Sequence, residues 1–411
     1  MLDWICLLYV IAMGACVGSF LNVVVYRLPL GKSLVHPPSA CPKCNHALAW
    51  YDNVPVLGWL WLRGKCRYCR NPISIQYPLI EALTGLVFGV AYVLYYFLGL
   101  GGGGFQTLGI GETWIVLIVH LILLAGLLAA TIIDARLFII PLQIPWFVTV
   151  VAAVLLPASV WLYPQTASIV PGDWVWFIPS TQLLAPVVEG GLVGLALGGT
   201  VGLVIAIVLL QLKILPLSFA DDVTAHDKVE TSSDESTSEP ELKRMTQEEQ
   251  DEYLAYPHVR REMFKELLFL SLPVLSMIVG AWLWFVLDSR TQLEPPLWAH
   301  AMAGVLLGYL VGGGVVWAVR IFGSLLFGKE AMGLGDVHLL AAVGAVVGAK
   351  DVTVLFFIAP FFGLAYALLA GLLGSVTRWK WRMIPYGPFL AAASVLMMFA
   401  REPVLRYLGF W

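Results

Sequence analysis

Long apolar stretches separated by short polar segments run through almost the whole chain. A membrane-spanning helix needs about 20 consecutive apolar residues, and ten stretches are candidates for such helices. They cover residues 4–26, 79–98, 113–133, 141–163, 187–210, 264–287, 299–323, 335–349, 352–376 and 384–401. The eighth is short for a complete crossing. The pattern predicts an all-α polytopic membrane protein with about ten transmembrane helices.

Composition and charge support this interpretation and add an orientation. Hydrophobic residues make up 59% of the 411, and charged residues only 12%, whereas soluble domains carry about 25% charged residues. With the N-terminus outside, 20 of the 24 Lys and Arg residues fall on the inner side; the exceptions are Arg290, Lys350, Arg401 and Arg406. Short inner loops carry the excess of basic residues. The first stretch is too long for a signal-peptide core, so we expect it to stay as a span.

The polar segments divide the chain into five predicted parts. These are a first helix (1–27), a cytoplasmic four-cysteine domain (28–78), helices carrying one candidate catalytic acid (79–163), an insertion (164–296) and the closing helices (297–411). Within the insertion, the cytoplasmic loop 213–263 is acidic and rich in Ser and Thr. It has too few large apolar residues to bury a core, which predicts disorder.

Four of the six cysteines form two closely spaced pairs in the first polar segment. Cys41 and Cys44 make one pair and Cys66 and Cys69 the other, with 21 residues between the pairs. Two such hairpins can bring four thiolates tetrahedrally around one Zn²⁺, and a fully occupied ligand set makes the zinc structural. The alternative is four unrelated cysteines. A metal or a reducing compartment explains them better than disulfides do.

Two aspartates are the candidates for catalysis. Asp134 ends the third predicted span, and Asp336 follows Gly333-Leu334-Gly335 at the start of the eighth. Alone, Asp134 is compatible with an ordinary helix-end charge, and a single GxGD sequence is a weak signal because glycine is common in membrane helices. The topology places both at the cytoplasmic face. Two adjacent carboxyls share a proton and can act as base and acid on a peptide bond.

Other polar residues within spans have simpler interpretations. Asn22 and Glu81 are expected to form interhelical hydrogen bonds, and His120 has a similar status. His338 lies two residues beyond Asp336 but has no evident metal partners, so we expect it to line a helix.

Several motifs, in order, resemble those of the type IV prepilin peptidases. They are Gly18–Pro29, the loop Cys41–Cys69 with Trp50–Pro55 inside it, Tyr77–Glu81, Gly333–Asp336 and Pro385–Phe389. The resemblance covers roughly residues 1–163 and 297–401. It departs from the common pattern at Leu142 after Pro141, where Asp is frequent, and at His338, where Lys is usual. Residues 164–296 have no counterpart in that pattern.

The resemblance implies both an activity and its site. Members of the family cleave the basic leader from type IV prepilins and type II secretion pseudopilins, after a glycine, at the cytoplasmic face of the inner membrane. Many then methylate the new N-terminus with S-adenosylmethionine, an activity assigned to the cysteine-bearing region. It also implies that Asp134 and Asp336 are catalytic and that the four cysteines bind metal. The implied partners are the precursors, pilus or type II secretion assembly proteins and membrane lipid, and no nucleic acid is expected.

Three alternatives stay open at this point. The chain could be a peptidase without methyltransferase activity, a transporter whose paired carboxylates relay protons, or a zinc-stabilised membrane scaffold. The transporter predicts acids near mid-bilayer and an internal repeat, whereas both acids are expected at one face. The insertion is expected to be dispensable for hydrolysis, because the topology places none of its acidic residues beside the catalytic pair inside the membrane.

Overall fold

The structure is a computed structural model that describes residues 2–41, 43–169, 184–218, 259–291, 295–377 and 385–409. Within these ranges the chain is almost entirely helical. Most of the loop 213–263, predicted to be disordered, lies outside the described residues, which resume at residue 259. Its last five residues, 259–263, are instead the start of a helix.

Twelve α-helices and two short strands make up the described chain. The helices are α1 (Leu2–Arg27), α2 (Leu57–Trp61), α3 (Gln76–Tyr92, continued by a π-helical turn to Phe97), α4 (Gly104–Leu108), α5 (Ile110–Leu137), α6 (Gln143–Leu162), α7 (Gly191–Gln211), α8 (Val259–Thr291), α9 (Leu297–Phe327), α10 (Leu334–Val347), α11 (Ala349–Thr377) and α12 (Gly387–Tyr407). The strands β1 (Ala167–Ile169) and β2 (Ala185–Val187) pair in parallel.

Nine helices in the described part of the chain are long and apolar enough to cross a membrane. They are α1, α3, α5, α6, α7, α8, α9, α11 and α12. The eighth predicted span is α10, which has 14 residues and is shorter than the roughly 20 that a full crossing needs. The predicted all-α polytopic fold is therefore confirmed, with one partial-length helix inside the bundle.

Glycines let the central helices approach closely. A Cβ atom at Gly308 of α9 would lie 2.0 Å from the carbonyl oxygen of Gly344 in α10, and one at Gly18 of α1 would lie 2.7 Å from the Cα of Glu81 in α3. Small residues provide this kind of packing where lipid replaces water as the solvent. The short helix α10 is buried in this way, and most of its side chains lie in the main core.

The described parts of the predicted insertion pack against the rest of the bundle. Helices α7 and α8 meet through glycines: a Cβ at Gly194 would lie 2.5 Å from the carbonyl oxygen of Gly280. Strand β2 lies against α9, where a Cβ at Gly304 would be 2.3 Å from the Pro186 carbonyl oxygen. The described parts of the insertion thus make close contacts with each other and with α9.

Chain direction brings several helix ends to one side of the bundle. Helix α1 ends, and α3 begins, at the cysteine-bearing segment. We call this end of the bundle the domain face. Helix α3 runs away from the domain face and α5 runs back, so that Asp134, near the end of α5, lies at the domain face.

Candidate active site and metal centre

Asp134 is held by the first turn of α12. Its carboxylate Oδ2 accepts a hydrogen bond from the backbone N–H of Gly387, at 3.0 Å, and its side chain is buried. The first N–H groups of a helix have no partner within the helix and carry partial positive charge, so they suit a carboxylate. The Pro385–Phe389 motif therefore positions the first candidate acid.

Only glycine at position 387 leaves room for the Asp134 carboxylate to reach this N–H group. A Cβ atom there would lie 2.6 Å from Oδ2 of Asp134, so Gly387→Ala should displace the carboxylate. We expect cleavage of a precursor to fall about 100-fold, the effect of displacing a catalytic group by about 1 Å. The matched control is Gly314→Ala in α9, because a Cβ there would meet no atom within 4 Å. Equal cleavage rates for the two variants in membranes would contradict this role of Gly387.

Asp336 lies in the first turn of α10, directly after the glycine-rich turn. Gly333 caps this helix in an extended conformation, with φ of −74° and ψ of 150°. Gly333 lies beside the Asp336 carboxylate, since a Cβ atom added to Gly333 would be 3.6 Å from Oδ2. Gly335 allows close packing, since a Cβ atom there would lie 2.9 Å from the Cβ of Ile140.

The two aspartates lie in one neighbourhood at the domain face. Ile140, just beyond α5, lies next to the turns that position both of them. A Cβ atom added at Gly335 would be 2.9 Å from its Cβ, and one added at Gly387 would be 3.3 Å from its Cδ1 and 2.6 Å from Oδ2 of Asp134. Tyr386, the residue directly before α12, borders the same space. The structure thus brings together the two carboxylates that the sequence singled out.

Such a pair has a defined chemical capacity. Carboxylates within a membrane bundle are costly unless they have a function. Two neighbouring carboxyl groups hold one proton between them, which leaves one as base and the other as acid. This combination can activate a water molecule and protonate a peptide carbonyl.

The four predicted cysteines form a compact cluster. Their sulfur atoms all lie within 4.8 Å of one another, and the sulfurs of Cys41 and Cys69 are 3.8 Å apart. Two similar turns build the cluster: the N–H of Asn45 bonds the Cys41 carbonyl, and the N–H of Arg70 bonds the Cys66 carbonyl. Zinc–sulfur bonds of about 2.3 Å in a tetrahedron place the sulfurs about 3.8 Å apart. The geometry fits a metal ion with four thiolate ligands.

The electrostatics of the cluster also favour a cation. The backbone N–H of Asn71 lowers the pKa of Cys69 to about 6, and the N–H groups of Cys44 and Lys43 lower the pKa of Cys41. At Cys44 the N–H of His46 lowers the pKa, but desolvation and the neighbouring sulfurs outweigh it and raise the value to about 11. Like charges this close cannot all ionise without a counter-charge, which a divalent metal would supply.

The remaining polar candidates have structural partners. The Asn22 amide donates to the Tyr77 carbonyl oxygen at 3.2 Å, and His120 bonds the Tyr95 hydroxyl at 3.1 Å. Both are the contacts expected of buried polar residues between helices. Glu81 instead accepts from the N–H of Val56 at 2.7 Å and so fastens the cysteine-bearing segment to α3. The ring of His338 packs beside that of Trp146, as expected for a helix-lining residue.

The sequence did not reveal one buried ionic contact near the candidate site. Glu266, inside the predicted insertion, is buried and bonds to Arg320 of α9 beside the turn that carries Asp336. Sequence reasoning assigned Arg320 to the inner basic set and gave Glu266 no role. A usable signal existed, because each is a charge within a predicted span, and such charges are usually paired or functional.

Comparison with known proteins gives two family matches. The bacterial peptidase A24 N-terminal domain matches residues 12–95, and the type IV leader peptidase family matches residues 267–368. Two separate segments of the chain are thus similar to domains of the leader peptidases. The first match contains all four clustered cysteines and the second contains Asp336, whereas Asp134 lies between them. The second match begins inside α8, within the predicted insertion.

Curated relatives carry the name prepilin leader peptidase/N-methyltransferase. The protein from Myxococcus xanthus is 59% identical over 80 residues, which are 20% of this chain and 24% of that relative. The Pectobacterium carotovorum protein is 38% identical over 150 residues, 31% of this chain and 48% of the relative. The Aeromonas hydrophila protein is 24% identical over 430 residues, 99% of this chain and 94% of the relative. The first two alignments thus span less than two thirds of each relative. No solved structure matches the chain.

Proposed function

We propose that this protein is an intramembrane aspartic endopeptidase that removes the leader from type IV prepilins and type II secretion pseudopilins. The observation that carries the proposal is the placement of Asp134 and Asp336 around Ile140 at one face of the bundle. The names of the relatives, which cover both peptidase and N-methyltransferase, support the substrate class.

The paired carboxyls supply general acid–base catalysis without a covalent intermediate. The ionised carboxylate removes a proton from a water molecule, whose oxygen attacks the carbonyl carbon of the scissile glycine. The protonated partner donates its proton to the carbonyl oxygen. Collapse of the tetrahedral species breaks the C–N bond, and proton transfer to the departing nitrogen yields the leader carboxylate and the new amine.

The cysteine cluster has a separate, structural role in this proposal. Cys41, Cys44, Cys66 and Cys69 would hold one Zn²⁺, and four protein ligands leave no open position for water. The metal then stabilises a segment with few core residues. S-adenosylmethionine would supply the methyl group for the cleaved N-terminus, with the segment 28–78 as the proposed methyltransferase region.

The distribution of basic residues gives the proposed orientation. With 20 of 24 Lys and Arg on one side, the positive-inside rule puts the N-terminus outside and the domain face in the cytoplasm. The protein is a multi-pass inner-membrane protein, and its active site then faces the basic leader of a precursor inserted in the same membrane. Pilus or type II secretion assembly proteins would take over the product.

A reconstituted assay tests the proposal. Purified protein in lipid vesicles is incubated with a prepilin precursor and S-adenosylmethionine, and the product is analysed by mass spectrometry. We expect cleavage after the leader glycine and one added methyl group on the new N-terminus. Cleavage without methylation would contradict the transferase half only, and an intact precursor under all conditions would contradict the peptidase.

A further inference from the structure

A buried ionic cluster connects the inserted helix α8 to α9. The guanidinium of Arg320 is 1% exposed, and its Nε and Nη2 atoms donate to the carboxylate of Glu266 at 3.1 to 3.2 Å. The indole Nε1 of Trp317 donates to the same carboxylate at 2.7 Å. Both charges are thus desolvated and paired, an arrangement that is strongly destabilised when one partner is removed.

The other side of the same guanidinium holds the turn before Asp336. Nη1 of Arg320 donates to the carboxylate of Glu330 and to the carbonyl oxygen of Met332. The hydroxyl of Ser324, one helical turn further along α9, accepts the N–H of Ala331 at 3.0 Å. Helix α9 therefore fixes the turn at three successive residue positions.

One peptide group connects this cluster to the catalytic carboxylate. The carbonyl of Met332 and the N–H of Gly333 belong to the same peptide unit, which is planar and rigid. Arg320 holds its oxygen. Gly333 lies beside the Asp336 carboxylate, since a Cβ atom added to Gly333 would be 3.6 Å from Oδ2. A peptide released by Arg320 would therefore be free to shift against the Asp336 carboxylate.

Apolar packing holds Glu266 against α9. Val259, Met263, Glu266 and Leu270 share one face of α8, because residues three or four apart are neighbours on a helix. The apolar members of this face pack on Trp317, Ile321 and Leu325 of α9. The carboxylate of Glu266 therefore reaches Arg320 from a fixed helix.

We propose that Glu266 is a positioning residue for peptide-bond cleavage, acting on Asp336 through Arg320 and the Met332–Gly333 peptide. The inference rests on the proposed catalytic role of Asp336. It gives the inserted helix α8 a part in the reaction without direct contact with the substrate.

Two conservative substitutions in the full-length protein test whether Glu266 and Arg320 position Asp336. Glu266→Gln keeps the side-chain shape but removes the charge that orients Arg320. Arg320→Lys keeps the charge but loses the planar fork that bonds both partners. We expect each to lower kcat for a prepilin precursor about tenfold or more, as for a misplaced catalytic group, with KM unchanged within about twofold. The kcat of the double variant should be little lower than that of either single variant, because both substitutions disturb the same set of contacts.

The control is Lys265→Gln, on the same turn of α8. Lys265 pairs with Glu262 at 2.8 Å, and this variant should keep wild-type kcat. All rates are normalised to folded, monodisperse protein, and the midpoint of thermal unfolding is measured in parallel. Wild-type kcat in Glu266→Gln, or a loss that disappears on normalisation, would overturn the inference.

Asp336→Asn is assayed beside these variants to separate the two proposals. If Asp336→Asn is inactive while Glu266→Gln has wild-type kcat, only the positioning role fails. If Asp336→Asn cleaves normally, the proposed function fails, and Glu266 then has no catalytic residue to position.

Discussion

Replacing either Asp134 or Asp336 by Asn should reduce precursor cleavage by at least about 1,000-fold, within the range that acid–base groups contribute. Asparagine has nearly the same shape but cannot exchange a proton with water or with the peptide carbonyl. Each change leaves one carboxyl, and one carboxyl cannot serve as base and acid in the same step. The ratio of precursor to mature pilin in membranes gives the rate.

Glu112→Gln is the matched control for this experiment. Glu112 lies in the first turn of α5, the opposite end of the helix that carries Asp134. The substitution removes a carboxylate from the same helix without approaching the pair, and cleavage should stay at the wild-type level. Near-normal cleavage in either Asp variant would mean that the pair is wrongly assigned.

Replacing Cys41 and Cys66 together by Ser should reduce bound zinc from about one ion per chain to almost none. Each turn of the cluster would lose one of its two thiolates, and the two remaining sulfurs cannot complete a tetrahedral site. Without the metal the segment 28–78 has few core residues to hold its fold, so methylation should be lost as well. Cleavage should fall only in part, because both catalytic candidates lie in the helical bundle.

Cys16→Ser provides the control for the loss of zinc. Cys16 is a free cysteine in α1, outside the cluster, and its replacement should leave zinc content and both activities unchanged. Zinc is measured by elemental analysis of purified protein. A double variant that retains a full equivalent of zinc would contradict the four-thiolate site.

The sequence predicts the helices well because a span is a local property of composition. The sequence predicts the ends of the helices less well where a charged side chain is buried between helices. The last span was expected to end at Arg401. Helix α12 has a non-helical kink there, at Ala400, and a further helical segment continues to Tyr407. Arg401, beside the kink, is buried and pairs with Asp351 at 2.8 Å. Hydropathy treats that arginine as solvated, whereas the fold neutralises it.

Predictability differs in the same way within the candidate site. Asp336 follows a recognisable glycine pattern and the four cysteines have metal-ligand spacing, so both could be found by local inspection. The bond from Gly387 to Asp134 joins residues 253 positions apart, and the pairing of Arg320 with Glu266 spans 54. Such contacts have no periodic signal and depend on how the helices pack.

The segment bearing the cysteine cluster is attached to the bundle at a specific point. The Glu81 carboxylate of α3 accepts the backbone N–H of Val56, close to where α2 begins. The proposed methyltransferase region therefore has a fixed attachment to the domain face, where cleavage would release the new N-terminus. This arrangement would let one membrane-bound substrate reach both activities.

Mapping where the scissile bond lies tests the central claim most directly. A precursor peptide with a non-cleavable hydroxyethylene group at the leader junction, and a photoreactive diazirine beside it, mimics the tetrahedral species that the pair should bind. After irradiation in vesicles, mass spectrometry locates the cross-linked residues. The account predicts adducts near Asp134 at the end of α5 and between Gly333 and His338. Adducts confined to the cysteine-bearing segment 28–78 would contradict it.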